Sequence, residues 1–198
     1  MYKEFLSIPL SAKLGLIVIA AYLFVALFAP VIAPYSETEI LGGAYEVWSE
    51  KHLLGTDNLG RDMLSRLIYG ARNTIGIALA AVVLAFLIGG TMGMLVAILG
   101  GWYDTVISRI VDILMAVPSL VFALLILTIM GTSIPTLVLV IAVLDSTRVF
   151  RITRAAAMNI AVMDFVEVAR LRGEGLGWVI HKEILPNITA PLLAEFGL

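Results

Sequence analysis

Two stretches without a single charge decide what this chain can fold into. Leu14 to Ala33 is a run of twenty such residues and Ile75 to Leu99 a run of twenty-five. Each is long enough as a helix to cross about 30 Å of hydrocarbon. In lipid a backbone must satisfy its own hydrogen bonds, so runs of this length and apolarity are read as transmembrane helices. With 61% hydrophobic and 14% charged residues, too little polar surface remains for an ordinary soluble domain. The expected class is all-α, a polytopic helical membrane protein. The first run continues into Pro30 and Pro34 instead of ending at a small-residue cleavage site, so it reads as an uncleaved anchor.

Two further spans are expected beyond these. Ile113 to Met130 forms a third, interrupted at Pro118 and preceded by a brief turn from Gly100 to Arg109. Asp112 stands three residues from Arg109, a spacing that allows a local ion pair. Ile134 to Leu144 begins a fourth, which meets Asp145 and Arg148 before it has crossed on apolar residues alone. Asp145 has two readings: a pair with Arg148 on its own helix, or a charge lining a translocation path. Along the second span Ala81, Ala85, Gly89, Gly93, Ala97 and Gly101 fall four apart. Such a stripe allows another helix to approach closely; the alternative is coincidence in an Ala-rich segment. Gly89, Gly93 and Ala97 are its centre.

The polar segments are few. Tyr35 to Asn73 holds Lys51, Arg61, Arg66 and Arg72 with six acidic residues. Gly55-Thr56-Asp57-Asn58 has the composition of a turn and helix cap, and Met63, Leu64, Leu67 and Ile68 then form one face of a helix suited to the membrane interface. A structural collar is the preferred reading, over any catalytic role for Asp57 or Asp62. The other polar segment is Asp164 to Pro191. Phe165, Val166 and Ala169 recur at helical spacing, with Glu167, Arg170 and Arg172 on the other sides. Gly173, Gly175 and Gly177 interrupt the pattern. A second apolar face over Trp178, Val179, Ile180, Ile184 and Leu185 is expected to stop at Pro186. Two short amphipathic helices joined at a glycine bend suit a groove in a partner protein; a helix lying on anionic headgroups is the alternative.

Glu167, Ala169, Gly173, Leu185 and Pro186 fall at the distances of the EAA loop of ABC importer permeases, which this segment resembles. Val168 departs from the second letter of the motif and Glu183 from a position that is usually apolar. The run from His52 to Arg72, H-L-L-G-T-D-N-L-G-R-D-M-L-S-R-L-I-Y-G-A-R, is similar to the signature before the second span in the C-type permease subunit of oligopeptide, dipeptide and nickel importers. The resemblance implies the type I ABC importer permease fold, with four spans present and a fifth just beginning. It divides the chain into an anchor and periplasmic segment, 1–73, and a transmembrane domain, 74–198. It implies a homologous second permease subunit, two cytoplasmic ATPases contacted through 164–191, and a periplasmic or extracellular binding protein delivering a small peptide or similar solute. Permeases of this group continue for two more spans, so by the resemblance the chain is shorter than expected at its C-terminus.

Placing the 164–191 loop in the cytoplasm, together with the N-terminus, puts nine of thirteen basic residues on that side, from Lys3 and Lys13 to Arg172 and Lys182, as the positive-inside rule asks. The resemblance implies a bacterial inner membrane as the setting. There is no G-x-x-x-x-G-K-[ST] to hold ATP phosphates, so energy is expected from a partner. His52 and His181 stand in separate loops, cysteine is absent, and no enzyme site, metal, cofactor or nucleic-acid partner is expected. The rival from another class is a secondary transporter or channel using Asp145 and Arg148 as an ion relay.

Overall fold

The computed structural model describes residues 9–197; Lys3 and Leu198 lie outside the described residues. The described chain is helical, with only isolated bridges between Ile40 and Arg61 and between Thr56 and Asp62. It divides into two compact units, Met1–Ala78 and Leu79–Leu198.

In the first unit α1 (Leu10–Ile32) is the anchor helix and carries Pro30 in its last turn. Its side chains are exposed along nearly the whole length, as a helix facing lipid requires. The connection to α2 (Met63–Ala85) is ordered by buried polar groups. Asp57 Oδ1 accepts from the N–H groups of Leu59 (2.8 Å) and Arg61 (3.0 Å), while Oδ2 takes Arg61 Nε (2.8 Å) and Arg66 Nη1 (2.6 Å). Burial alone pushes the Asp57 carboxyl up, yet these donors hold it down at about 2. Asp62 accepts from Ser65 N–H and Ser65 Oγ, both at 2.8 Å, and lies 3.1 Å from His52 Nδ1. It too titrates below the usual carboxylate range, the hydrogen bonds outweighing burial. Accepting the amide three residues on makes Asp62 the N-cap of α2. The expected cap at Gly55–Asn58 is therefore a turn only, and the cap sits further along.

The interfacial helix expected at Met63–Ile68 is not separate from the second span. One helix runs from Met63 to Leu99, because nothing between Ser65 and Leu99 breaks it. It widens to a π-helical turn at Phe86–Gly90 and resumes as α3 (Thr91–Leu99). The Oγ1 of Thr91 donates to the carbonyls of Leu87 and Ile88, which also accept from the Thr91 N–H.

In the second unit the expected turn at Gly100–Arg109 is mostly helix. Gly100 and Gly101 have φ of 61° and 53°, so the break is confined to them, and α4 (Gly101–Ala116) starts at once with Asp104 in its first turn, where negative charge suits the helix dipole. Val117 is extended before Pro118, since a residue preceding proline is driven from the α region. α5 (Ser119–Met130) leaves at 88° to α4, so the third span is a sharply bent pair. α6 (Ile134–Ala161) is capped by Ser133, whose Oγ accepts from Thr136 N–H. By length and composition two helices qualify as spans, Leu10–Ile32 and Met63–Leu99, or three if the bent pair counts as one. α6 does not qualify, because Asp145, Arg148, Arg151 and Arg154 occupy its second half.

The α3–α6 contact is the seam of this unit. A Cβ on Gly89 would overlap the carbonyl oxygen of Ser146 and stand 2.9 Å from Phe150 N; one on Gly93 would stand 2.9 Å from Phe150 O and from Thr153 Cβ. Glycine is what permits backbone-to-backbone approach at these two places. Ala81 and Ala85 are buried on the same line, and Ala97 is partly buried one turn on.

Candidate functional site: the loop from Asp164 to Pro191

α7 (Asp164–Leu171) is a two-turn helix, too short to cross a membrane. Its Val166 and Ala169 are fully buried, three apart on one face as helical spacing demands. They join Met94 of α3, Ala157 of α6, and Val179, Ile180, Ile184 and Ile188 in one apolar core. Burying Val166, Val179 and Ile184 stabilises this seat by about 1.5 to 3 kcal/mol each. The loop is thus packed onto the helices that precede it.

Arg172 ends α7, and Gly173 follows with φ of 84°. Its N–H donates to Arg170 O (2.9 Å) and that of Glu174 to Ala169 O (3.2 Å), which closes the helix with glycine in the left-handed conformation. Beyond the bend come α8 (Leu176–Trp178) and a π-helical turn at Val179–Ile184. The expected stop at Pro186 does not occur: α9 (Leu185–Phe196) begins there with Pro186 in its first turn. The chain enters this helix through the π-helical turn, where Leu185 N–H donates to Ile180 O, and Pro186 at the next position brings no N–H that needs a partner. Leu185 is partly buried at that junction and Pro186 exposed.

The outward side of α7 is mixed. Glu167 and Arg170 are exposed, as are Phe165, Val168 and Leu171, the last 80% accessible. Arg170 Nη2 lies 3.5 Å from the carbonyl of Ile98 near the end of α3, and the Arg172 guanidinium stands 5.6 Å from the Trp178 ring centre across the bend. His181 Nδ1 donates to Gly177 O at 2.8 Å. The Arg170 contact, across 72 residues of sequence, does not follow from local spacing.

The charges of α6 find partners that the sequence does not single out. Arg148 pairs with Glu195 of α9, Nε to Oε1 at 2.6 Å, and not with Asp145. The pair expected within α6 is thereby corrected: an acid across the helix interface faces the guanidinium better than one three residues back on the same helix. Asp112 likewise forms no ion pair with Arg109 among the described residues. The bidentate pair here is Arg154 with Asp104 on α4, 2.5 and 2.6 Å, and Asp112 lines a cavity with Arg151 and Arg154. The sequence separations are 47 and 50 residues, beyond any helical periodicity.

Residues 89–198, which contain the seam and the whole loop, match the family described as binding-protein-dependent transport system inner membrane component. The chain belongs to this family. Residues 11–46 match a second description, the N-terminal transmembrane domain of oligopeptide transport permease C. Among curated proteins the chain is 37% identical over 194 residues to the dipeptide transport system permease protein DppC of Haemophilus influenzae, covering 94% of this chain and 66% of that protein. It is 38% identical over 191 residues to the di/tripeptide transport system permease protein DppC of Pseudomonas aeruginosa, covering 93% and 63%. The Escherichia coli K12 dipeptide transport system permease protein DppC is 38% identical over 194 residues, covering 94% and 65%. The chain therefore spans just under two thirds of the length of these relatives. The fold is that of a helical inner-membrane permease component, in agreement with the class expected from the apolar runs.

Proposed function

We propose that this chain is a transmembrane permease subunit of an ATP-driven importer and forms part of the path for small peptides or similar solutes. The observation that carries the reading is the 164–191 loop. Its short helix is anchored by Val166 and Ala169 on the spans, turned at Gly173, and presents Glu167 beside an exposed apolar stripe of Phe165, Val168 and Leu171. An apolar stripe rimmed by charge fits a groove in a soluble partner. Here that partner is one of two cytoplasmic ATPases, with Glu167 meeting a cation on the ATPase. Because the loop shares its core with α3 and α6, a displacement imposed on α7 carries those helices with it, the route by which nucleotide state reorients the spans.

The printed names of the relatives favour a dipeptide or other short peptide as solute. The remaining partners are a second, homologous permease subunit and a periplasmic or extracellular binding protein. The N-terminus and the loop lie in the cytoplasm and the 35–73 connection outside. In this scheme 1–73 serve as anchor and outer collar, and 74–198 as the transport core. The chain itself performs no hydrolysis; that activity resides in the ATPases.

The test is uptake by the assembled complex in proteoliposomes, with the ion gradients clamped. Uptake should stop when ATP is withdrawn. Uptake that persists without ATP and follows an imposed ion gradient would instead make Asp145 and Arg148 an ion relay.

A further inference from the structure

We propose that the cavity between the end of α2, α6 and α9 binds a primary ammonium group, with Asp145 as its counter-ion and Phe86 and Phe196 as its aromatic walls. The inference rests on the reading of the chain as a solute permease, and it assigns the amine end of the solute to a place along the path.

The charge count comes first. Three ionised side chains line the cavity: Asp145, Arg148 and Glu195. Arg148 is committed to Glu195 at 2.6 Å, and only about a tenth of the Glu195 side chain is exposed. Asp145 has no cation within ion-pair distance among the described residues, so the three sum to one surplus negative charge. Asp145 is the twelfth residue of α6, about 17 Å along the axis from its start, and the eleven residues before it carry no charge. A carboxylate at such depth is costly unless it faces a water-filled path or a cation. Asp145 is exposed into the cavity and not sealed against a neighbouring helix.

The walls provide a second, independent kind of attraction. Phe86 and Phe196 stand edge to face with ring centres 5.3 Å apart, and both line the same space. Aromatic faces attract ammonium ions through their quadrupole. Phe86 is also the first residue of the π-helical turn, a distortion found often where a helix is shaped for function. Carboxylate plus aromatic faces in a cavity of about 210 Å³ is the recognition chemistry of a small amine. The Arg148–Glu195 pair holds α6 to α9 around it.

The experiment compares ATP-driven uptake of L-alanyl-L-alanine and its N-acetyl twin by the assembled transporter in proteoliposomes. Selection by the binding protein is common to every variant, so the change in preference between wild type and variant isolates this chain. Asp145→Asn should cut the preference for the free amine about tenfold, the size of one charge-assisted contact, and Asp145→Glu should keep most of it. Phe86→Leu, which removes one ring without altering charge, should lower the preference about threefold. If Asp145→Asn fails to copurify with the ATPases, Asp145→Glu and Phe86→Leu decide. Unchanged preference in the assembled variants overturns the inference and makes Asp145 a structural charge for a neighbouring subunit. A wild type with no ATP-driven uptake of either probe overturns the permease reading, and this inference with it.

Discussion

Gly89 and Gly90 are neighbours in one π-helical turn, both buried and both with helical dihedrals, yet substitution should separate them sharply. A methyl group at Gly89 meets three atoms of α6, two of them backbone, all at or below 3.0 Å. Backbone cannot swing aside as a flexible side chain can, so α6 must retreat. A retreat of 0.5 to 1 Å forfeits roughly a quarter to a half of each dispersion contact along the seam, including those of Val149 and Phe150. Overpacking of this kind costs about 1 to 3 kcal/mol. At Gly90 the same methyl meets nothing within 4 Å, and replacing glycine by alanine inside a helix stabilises by up to about 1 kcal/mol. The propensity gain applies at both positions and cancels, so the two variants should differ by the overpacking cost, about 1 to 3 kcal/mol. Thermal unfolding of Gly89→Ala and Gly90→Ala in the same detergent, followed by helix circular dichroism, measures the difference. Equal midpoints would show that the α3–α6 seam is not the close backbone contact described here.

Two further outcomes follow from the charges. In a double-mutant cycle, Arg148→Gln and Glu195→Gln should show a coupling of about 0.5 to 1 kcal/mol, modest because the guanidinium is largely exposed, while Arg148→Gln and Asp145→Asn should be nearly additive; the reverse order would restore the pair within α6. In the outer collar, the Asp57 and Asp62 carboxyls titrate lower in the folded protein than in an unfolded chain. Their contribution is thus complete above the unfolded carboxylate pKa of about 4 and fades as pH falls towards 2. Pepsin cleavage between Leu53 and Leu59, normalised to an unstructured peptide, should rise from pH 4 to pH 2, and a flat profile would refute the role of these carboxylates in ordering the loop.

The helical class was legible in the sequence because charge-free runs such as Leu14–Ala33 have one stable state in lipid. α7 was legible as a helix because Val166 and Ala169 stand on one side of it and Gly173 marks the place where the chain needs a left-handed residue. That this side packs on α3 and α6, and not in a partner's groove or on headgroups, was not legible. The joints were harder. Whether Met63–Ile68 forms its own helix or the start of a longer one depends on the absence of a breaker, a weaker signal than the presence of one. Pro186 was misleading because proline ends a helix from the inside yet suits its first turn, and only the π-helical turn before it shows which applies. The 88° bend at Val117–Pro118 and the pairs Arg148–Glu195 and Arg154–Asp104 depend on tertiary approach, which no periodicity encodes. The residues lining the cavity at Asp145 were half visible: the charge stands out in an apolar run, whereas Phe86 and Phe196 look like ordinary membrane residues until the helices are packed.

The central claim, that the 164–191 loop couples this chain to an ATPase, meets its most direct test at Gly173. Nothing lies within 4 Å of a Cβ placed there, and φ is 84°, so Gly173→Val strains the backbone without creating a clash. That strain, about 1 to 3 kcal/mol for a branched residue in this region, should open the bend while leaving the spans inserted. Gly175→Ala, at φ of −74° with equally open space, is the matched control. Copurification of the ATPases with the membrane-inserted subunit is the measurement. The account predicts loss with Gly173→Val, weakening with Glu167→Ala, and retention with Gly175→Ala and His181→Ala. Normal ATPase copurification with Gly173→Val would contradict it and return the loop to the lipid surface.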